Sequence, residues 1–325
     1  MKILSLIHSY PPITNAGAEM YVKNLFDYLI EQGHKVTVRM AVSELEPYEL
    51  DGVKVDIDSF KKTHAELQDT DLIITHLNRA GYALNLAEFR KKPLVVIHHN
   101  PNGFAPAKHK HQADMNNRWV YNIYNSEHVR KSVNYPNPFY VLHPPVVADR
   151  VKVNKKGNKV TLVNLWEDKG GELFAQLART MPERKFLGVK GGYARQKQVL
   201  VDLPNMEIME NTPEMKKVFG KTRVLLMPSL RESWGMVGVE AMASGIPVVA
   251  HPTPGLKEML GDAGIFCNRD NIKEWIDILA KLDDEAFYKE ASAKAVKRFK
   301  ELQELQKTEM SGIIEWLDKA IKKQL

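Results

Sequence analysis

Short apolar runs alternate along this chain with amphipathic helical segments, and no other feature constrains the possible fold as strongly. Between the first two apolar runs, residues 19–32 carry apolar side chains at helical spacing, and Gly33 is a typical helix end. Alternating strands and helices favour a parallel sheet covered by helices on both faces. The strands predicted in the first half lie at 3–7, 35–40, 72–75, 94–98 and 121–124.

The alternation stops near residues 142–145, and the polar stretch 154–159 that follows is typical of a linker. We therefore predict an α/β fold with two doubly wound, Rossmann-like domains facing each other across a cleft, and C-terminal helices. The predicted boundaries are 1–150, 151–305, and a final helix at 306–325 that packs back on the first domain. The strands predicted in the second half lie at 160–163, 185–189, 206–209, 224–227, 247–250 and 264–266.

Composition narrows the class of protein without identifying it. The 325 residues are 44% apolar and 26% charged, as in soluble globular proteins. The single Cys267 excludes a disulfide framework, and the apolar N-terminus is too short for a signal peptide or membrane span, so we predict a cytoplasmic location. The net charge of +6 fits either solubility or attraction to an anionic partner, such as a phosphorylated substrate, a lipid surface or nucleic acid.

Small residues follow several predicted strands. Ala16 and Gly17 precede the first helix, where a G-x-G-x-x-G dinucleotide pattern is absent. Lys169 stands before two glycines that open the next helix, and a cation beside free helix N–H groups is typical of a phosphate site. Residues 191–193 form either a flexible turn or a place where a ligand approaches the backbone.

Histidines end one buried strand. His98, His99 and Asn100 are either polar caps of the core or hydrogen-bonding groups in the cleft. His109 and His111 lack a matching Cys, Asp or Glu pattern, so no metal site is predicted.

Two glutamates stand eight positions apart, Glu232 in a loop after a strand and Glu240 in the early turns of a short helix. Glu240 has apolar neighbours, and a carboxylate in such surroundings needs a specific hydrogen-bond partner. Ribose or hexose hydroxyls are suitable partners. Together with the phosphate-type loops, the pair predicts a site for a nucleotide sugar.

The chain resembles a family-4 retaining glycosyltransferase of the GT-B superfamily, glycosyltransferase group 1 type. The resemblance covers nearly the whole chain, and its most specific part is the E-x7-E pattern of Glu232 and Glu240 with the run that follows. The runs that carry it are 16–19, 125–127, 141–145, 232–249, 255–258 and 261–264.

This resemblance implies roles for individual residues. Lys169 would neutralise the diphosphate leaving group, Glu232 would bind hydroxyls of the transferred sugar, and His99 would lie near that sugar. Glu240 would bind the ribose. The resemblance further implies donor contacts from Gly17 and from the backbone at Trp234, Gly235, Met236 and Val237. We also predict donor contacts from Ala16, Asn164, Gly191, Gly192, Tyr193 and Ser233, and acceptor-side contacts from Ser9, Tyr10, His98 and Asn100.

One position departs from the family pattern. Many members carry an arginine where this chain has Asn164, so either another cation replaces it or Lys169 and helix N–H groups hold the leaving group. The resemblance implies a UDP- or GDP-type donor, no separate cofactor and no metal.

The predicted reaction is retaining transfer of a sugar to a hydroxyl of a glycan, lipid or small molecule. Same-face attack is favoured, with the leaving phosphate as proton acceptor. Two alternatives remain, a DNA-modifying glycosyltransferase and a non-catalytic GT-B protein that binds a nucleotide sugar or scaffolds a partner. The mild basicity allows peripheral membrane contact or nucleic acid, although no nucleic-acid module is recognisable.

Overall fold

A computed structural model describes residues 1–41, 45–101, 119–193 and 196–323, which form two compact units. The first comprises Met1–Pro145 and Gln306–Leu325, and the second comprises Val146–Leu305. The polar stretch 154–159, predicted as a linker, lies inside the second unit. Its last residue, Lys159, begins the first strand there.

An eight-stranded sheet forms the centre of the first unit, in the order β3-β4-β2-β1-β5-β6-β7-β8. Its pairings are parallel, except that β3 runs antiparallel to β4 at one edge. The strands are β1 Lys2–Ile7, β2 Lys35–Met40, β3 Tyr48–Leu50, β4 Val53–Ile57, β5 Leu72–His76, β6 Leu94–His98, β7 Val120–Tyr124 and β8 Phe139–Val141.

Helices cover both faces of this sheet, because successive side chains of a strand point to opposite faces. Ile3 and Ile7 of β1 pack in one core cluster with the first helix, whereas Leu4 and Leu6 pack in another with the third helix. The first helix ends before Gly33, whose φ of 81° is left-handed. The described helices before residue 145 are α1 Gly17–Glu31, α2 Phe60–Glu66, α3 Ala80–Arg90 and α4 Glu127–Val133.

The second unit contains a six-stranded, wholly parallel sheet in the order β11-β10-β9-β12-β13-β14. The strand order reverses between β9 and β12, and open α/β sheets bind ligands beyond the carboxyl ends of strands at such a switch point. The strands are β9 Lys159–Val163, β10 Phe186–Val189, β11 Met206–Met209, β12 Thr222–Met227, β13 Val248–Ala250 and β14 Ile265–Phe266.

Two core clusters lie on the two faces of this second sheet. Leu225 and Met227 of β12 belong to one cluster, and Val224 and Leu226 belong to the other. The helices from residue 146 onward are α5 Ala148–Val151, α6 Gly171–Thr180, α7 Met215–Phe219, α8 Met236–Met242, α9 Pro254–Leu260, α10 Ile272–Lys281 and α11 Glu285–Lys322.

The last helix contributes to both units. From Gln306 onward α11 belongs to the first unit, where Ile313 and Leu317 are fully buried in the core. Glu309 fixes this segment, since its carboxylate accepts hydrogen bonds from the backbone N–H of His143 at 2.9 Å and contacts the ring Nδ1 at 2.7 Å.

Three strands were not predicted, namely β3, β4 and β8. β3 and β4 form a hairpin through Asp51 and Gly52, which both have positive φ, at 49° and 82°. An Asp-Gly pair is a strong hairpin signal, but only when the flanking segments are recognised as strands. The three-residue β3 is too short to show a period, so the antiparallel strand at this edge was not predicted.

Candidate functional site

The loops after β9 and β12, which flank the switch point of the second sheet, place Lys169 against Glu232. The Lys169 Nζ lies 2.5 Å from Glu232 Oε2, and the Ser229 hydroxyl donates to the same oxygen at 3.2 Å. The side chains are 26% and 14% exposed, so the pair is shielded yet reachable from solvent. A cation and a carboxylate thus stand side by side where this fold class binds ligands.

Glycines permit these loops to approach each other. A Cβ on Gly170, whose φ is +94°, would lie 2.3 Å from Pro228 Cγ. A Cβ on Gly255 would lie 2.4 Å from the carbonyl oxygens of Glu232 and Ser233. Any larger residue would push the Lys169 loop or the Glu232 loop away from its neighbour.

Arg269 ties the two loops together from behind. Its Nη1 donates to the carbonyl oxygens of Asp168 at 2.9 Å and Pro228 at 2.8 Å, and its Nη2 donates to that of Glu167 at 2.6 Å. Asp168 immediately precedes Lys169, and Pro228 begins the loop that contains Glu232. The guanidinium therefore fixes the backbone on both sides of the ion pair.

Glu240 lies on α8, which begins four residues after Glu232. Its side chain is partly exposed, yet no described residue forms a hydrogen bond or ion pair with its carboxyl group. Burial raises the pKa of this carboxyl to about 8, since no cation offsets the loss of water around the charged form. An unpartnered carboxyl group at a surface is ready to bind hydroxyl groups.

A sharp turn starts α8. Gly235 has a φ of 97°, and the helix follows directly at Met236. Trp234 is buried in the core, while Ser233, Met236 and Val237 are partly exposed. In the first helical turn, the N–H of Gly238 already donates to the carbonyl oxygen of Gly235 at 2.9 Å. The N–H groups of Met236 and Val237, which are predicted to contact the donor, precede the first intrahelical acceptor.

Asn164 is held in a polar network within the second unit. Its amide Nδ2 donates to Gln196 Oε1 at 3.0 Å, and its Oδ1 accepts from the backbone N–H of Trp166 at 3.1 Å. The residue has a left-handed φ of 73°, which Asn tolerates better than most residues. The structure therefore gives Asn164 a role in shaping the turn after β9.

Gly191 packs against the same network, because a Cβ there would lie 2.4 Å from Asn164 Oδ1. Its N–H donates to Gln198 Oε1 at 3.1 Å. Gly192 and Tyr193 follow it, and Tyr193 is exposed.

In the first unit, His99 follows β6 and contacts His76 at the end of β5, with His76 Nδ1 3.0 Å from His99 Nε2. Burial lowers the pKa of both rings, that of His76 to about 3, so both are neutral at physiological pH. Tyr21 packs edge-on against His99 at a centroid distance of 5.1 Å.

His98 points into the core. Its Nε2 lies 2.8 Å from Asn122 Oδ1, its ring stacks on Tyr124, and burial lowers its pKa to about 4. This placement makes His98 a core residue and leaves His99 as the more accessible ring of the two.

Other residues predicted in the first unit differ in accessibility. Tyr10 is fully buried, with its ring stacked on Phe26 at 6.1 Å, so it has a packing role. Ser9 is buried and its hydroxyl lies 2.7 Å from that of Thr14. Ala16 and Gly17 form the N-terminal end of α1, and Asn100 is exposed. His109 and His111 lie outside the described residues.

Sequence patterns missed several residues that shape the site. His76 could have been predicted as a site residue, because it ends a buried strand as His98 does. Arg269 carried none, since a lone arginine after a short strand is usually a solvated side chain. Ser229, Gln196 and Gln198 act through contacts that only the folded loops create.

Two larger features are absent from the described residues. No group of three or more His, Cys, Asp or Glu side chains there is arranged to hold a metal ion. Within the same residues, no helix combines the length and apolar character needed to cross a membrane.

Residues 160–284 match the sequence model of the family described as Glycosyl transferases group 1. This segment contains Lys169, Glu232, Glu240 and Arg269. The match agrees with the family resemblance over this segment, which lies within the second unit.

Curated relatives match shorter stretches of the chain. The D-inositol 3-phosphate glycosyltransferase of Arthrobacter sp. (strain FB24) is 38% identical over 77 residues, which are 23% of this chain and 18% of the relative. The O-antigen chain mannosyltransferase RfbU of Salmonella typhimurium (strain LT2) is 31% identical over 70 residues, 22% of this chain and 20% of that protein. The chain thus matches about a fifth of the length of these relatives.

Solved structures resemble the chain over almost its whole length. Sucrose-phosphate synthase from Thermosynechococcus elongatus has a TM-score of 0.77 at 15% identity, covering 98% of this chain and 100% of that one. HepE of Anabaena, solved with UDP-glucose, has a TM-score of 0.76 at 18% identity, covering 98% and 99%. These similarities confirm the predicted GT-B fold of two Rossmann-like units with C-terminal helices.

Proposed function

We propose that this protein is a retaining glycosyltransferase that moves a sugar from a nucleotide-diphosphate sugar to an acceptor hydroxyl. The observation that carries the proposal is the Lys169–Glu232 pair at the switch point of the second sheet, followed on the next helix by Glu240, whose carboxyl group has no partner among the described residues. Both lie in the segment that matches the group 1 glycosyltransferases. The family match and the names of the relatives support the same class of reaction.

Each side chain has a chemical task in this proposal. Lys169 neutralises the charge that develops on the leaving diphosphate, and such preorganised electrostatics usually supplies the largest catalytic contribution. Glu232 accepts hydrogen bonds from hydroxyls of the transferred sugar, and Glu240 accepts them from the ribose. The ion pair keeps Lys169 oriented before the donor arrives.

The proposed sugar transfer needs no nucleophile from the protein. The bond between the anomeric carbon and the phosphate oxygen breaks, and the acceptor oxygen forms a bond to that carbon on the same face. The acceptor proton moves to an oxygen of the leaving diphosphate. This route follows from the role given to Glu232, since a carboxylate engaged with sugar hydroxyls and Lys169 is not free to attack as a double displacement requires.

UDP is the first nucleotide to test, since structural neighbours were solved with UDP or UDP-glucose. UDP, GDP, ADP and CDP would each be added to the protein and the unfolding temperature measured. A ligand at about 100 times its dissociation constant adds roughly 2.7 kcal/mol of stability, which raises the unfolding temperature by roughly 5–10 °C. One nucleotide should produce this shift, and the Glu240→Ala variant should reduce it.

The stereochemistry needs its own readout. The binding nucleotide would be supplied as a sugar conjugate of known anomeric configuration, and the product of transfer or hydrolysis followed by NMR as it forms. The proposal expects the product to keep the donor configuration. An inverted product would refute retention, and the absence of any nucleotide-dependent shift would refute donor binding.

A further inference from the structure

Two phenylalanines of the first unit are more exposed than any other large apolar side chain among the described residues. Phe60, the first residue of α2, is 75% exposed, and Phe89, near the end of α3, is 72% exposed. The next in order, Leu200, is 53% exposed. Folding leaves these rings in water, although a phenylalanine gains more than most residues from burial.

The two rings belong to one continuous surface. The imidazole of His64 stacks on Phe60 with ring centroids 3.9 Å apart, and its centroid lies 6.4 Å from that of Phe89. The Arg90 guanidinium carbon lies 5.3 Å from the Phe89 ring centroid. We call these four residues the aromatic patch. It combines apolar rings with a cation at its margin.

Ion pairs neutralise acidic side chains near the aromatic patch. Asp56 is compensated by Arg39 at 2.5 Å and by Lys62 at 2.7 Å, and Arg39 also pairs with Glu66 at 2.8 Å. These acids are therefore neutralised locally.

Three cations next to the exposed rings have no such partner. No described residue forms an ion pair with Lys61, Arg90 or Lys91. Among the acidic residues between positions 61 and 91, only Glu88 lacks a described partner. The aromatic patch, together with Lys61 and Lys91 beside it in the sequence, therefore carries more unpaired positive charge than Glu88 offsets.

We propose that the aromatic patch docks on an anionic lipid surface, with Phe60 and Phe89 inserted at the headgroup level and Lys61, Arg90 and Lys91 facing the lipid phosphates. Stable peripheral binding requires two signals, an apolar insertion and a basic surface, and the patch supplies both. Aromatic rings are favoured at this depth of a bilayer. The inference does not depend on the proposed enzymatic activity.

A second copy of the chain fits the patch less well. Two exposed phenylalanine rings present about 300 Å² of apolar surface, whereas a stable protein interface needs roughly 800 Å² from each partner. A membrane needs no matching shape, so a small patch with cations suffices.

Vesicle flotation tests the proposal on the whole 325-residue chain. One set of vesicles contains equal parts of phosphatidylcholine and phosphatidylglycerol, and the other contains phosphatidylcholine alone. The variants are F60S/F89S, which removes the rings, and K61E/K91E, which removes the cations. Matched controls on the second unit are L200S, at an exposed leucine, and K273E, at a lysine whose side chain is 81% exposed.

The expected result is flotation with the anionic vesicles only, weakened by added salt. K61E/K91E should lower the partition coefficient by roughly fivefold or more for each reversed lysine, and F60S/F89S should abolish flotation, while both controls behave as wild type. Equal flotation with both lipids, no flotation of the wild type, or unchanged binding by F60S/F89S would overturn the proposal. So would a dimer in sedimentation that F60S/F89S converts to monomer.

Discussion

Glu232 and Glu240 show how surroundings give one residue type two different properties. Glu232 is neutralised by Lys169 and receives a hydrogen bond from Ser229. Glu240 has no described partner, so burial raises its pKa to about 8. The sequence predicted both as ligands of hydroxyl groups, but the spacing of the two carried no information about which one would meet a cation.

Glu240 makes the stability of the folded protein depend on pH. The ordinary pKa of a glutamate carboxyl is 4.5, whereas the pKa of Glu240 in the folded protein is about 8. Between these two pH values the native state therefore binds more protons than the unfolded state. The contribution of Glu240 to the free energy of unfolding is fully present below the pKa of the unfolded state, and it is lost as pH rises through about 8.

The Glu240→Gln variant should lose less stability than wild type between about pH 5 and pH 8, by at most about 1.4 kcal/mol per pH unit. Thermal unfolding at several pH values measures this, with Glu183→Gln, an exposed residue, as the control. Parallel pH profiles for wild type and Glu240→Gln would contradict the assigned environment.

The residues that sequence reasoning missed have a common physical cause. Arg269 is 100 residues from Lys169 in the chain, and its role depends on three carbonyl groups that two loops bring together. Backbone acceptors leave no trace in side-chain patterns. Lys169 could be predicted from the sequence, because a cation next to a helix that begins with glycine is a recognisable local pattern.

At the scale of elements, tight loops after β9 and β12 decide whether the ion pair forms. Position 170 has no room for a side chain, because its φ of +94° is left-handed and a Cβ would collide with Pro228. The Lys169 loop can pass over the Glu232 loop only without a Cβ at this position.

The Gly170→Ala substitution should destabilise the second unit by roughly 2–4 kcal/mol, through backbone strain and overpacking together. Gly17→Ala is the matched control, because no atom lies within 4 Å of a Cβ built there and its φ is not left-handed. Hydrogen exchange of α6 and α8 would report the loss locally. Equal protection in Gly170→Ala and wild type would contradict the argument.

Elements with a clear period were predictable, and elements without one were not. β2 and β6 were predicted with their observed bounds. β6 is an almost continuous apolar run, typical of a buried parallel strand, whereas in β2 apolar residues alternate with polar ones. β3 and β8 have three residues each, and their side chains are partly or fully exposed. Such edge strands form because a neighbouring strand offers free backbone groups, which the sequence does not reveal.

At the scale of the molecule, long-range packing defines the two units. Val146 begins the second unit, and α11 returns the chain to the first, where Trp316 packs on Tyr121 and Tyr140. Alternation along the sequence predicted two Rossmann-like domains because each strand–helix repeat is local. The unit to which each polar connection belongs depends on contacts between residues far apart in the chain.

The rate of sugar transfer by Lys169→Ala, compared with wild type, tests the central claim most directly. Lys273→Ala serves as the matched control, since this exposed lysine lies on α10 and pairs only with Asp277 among the described residues. Transfer would be measured at saturating donor, with circular dichroism to confirm folding. The account predicts a loss of about 10²–10³-fold for Lys169→Ala, the effect of removing one electrostatic stabiliser, and none for Lys273→Ala. Near-normal transfer by a folded Lys169→Ala variant would contradict it.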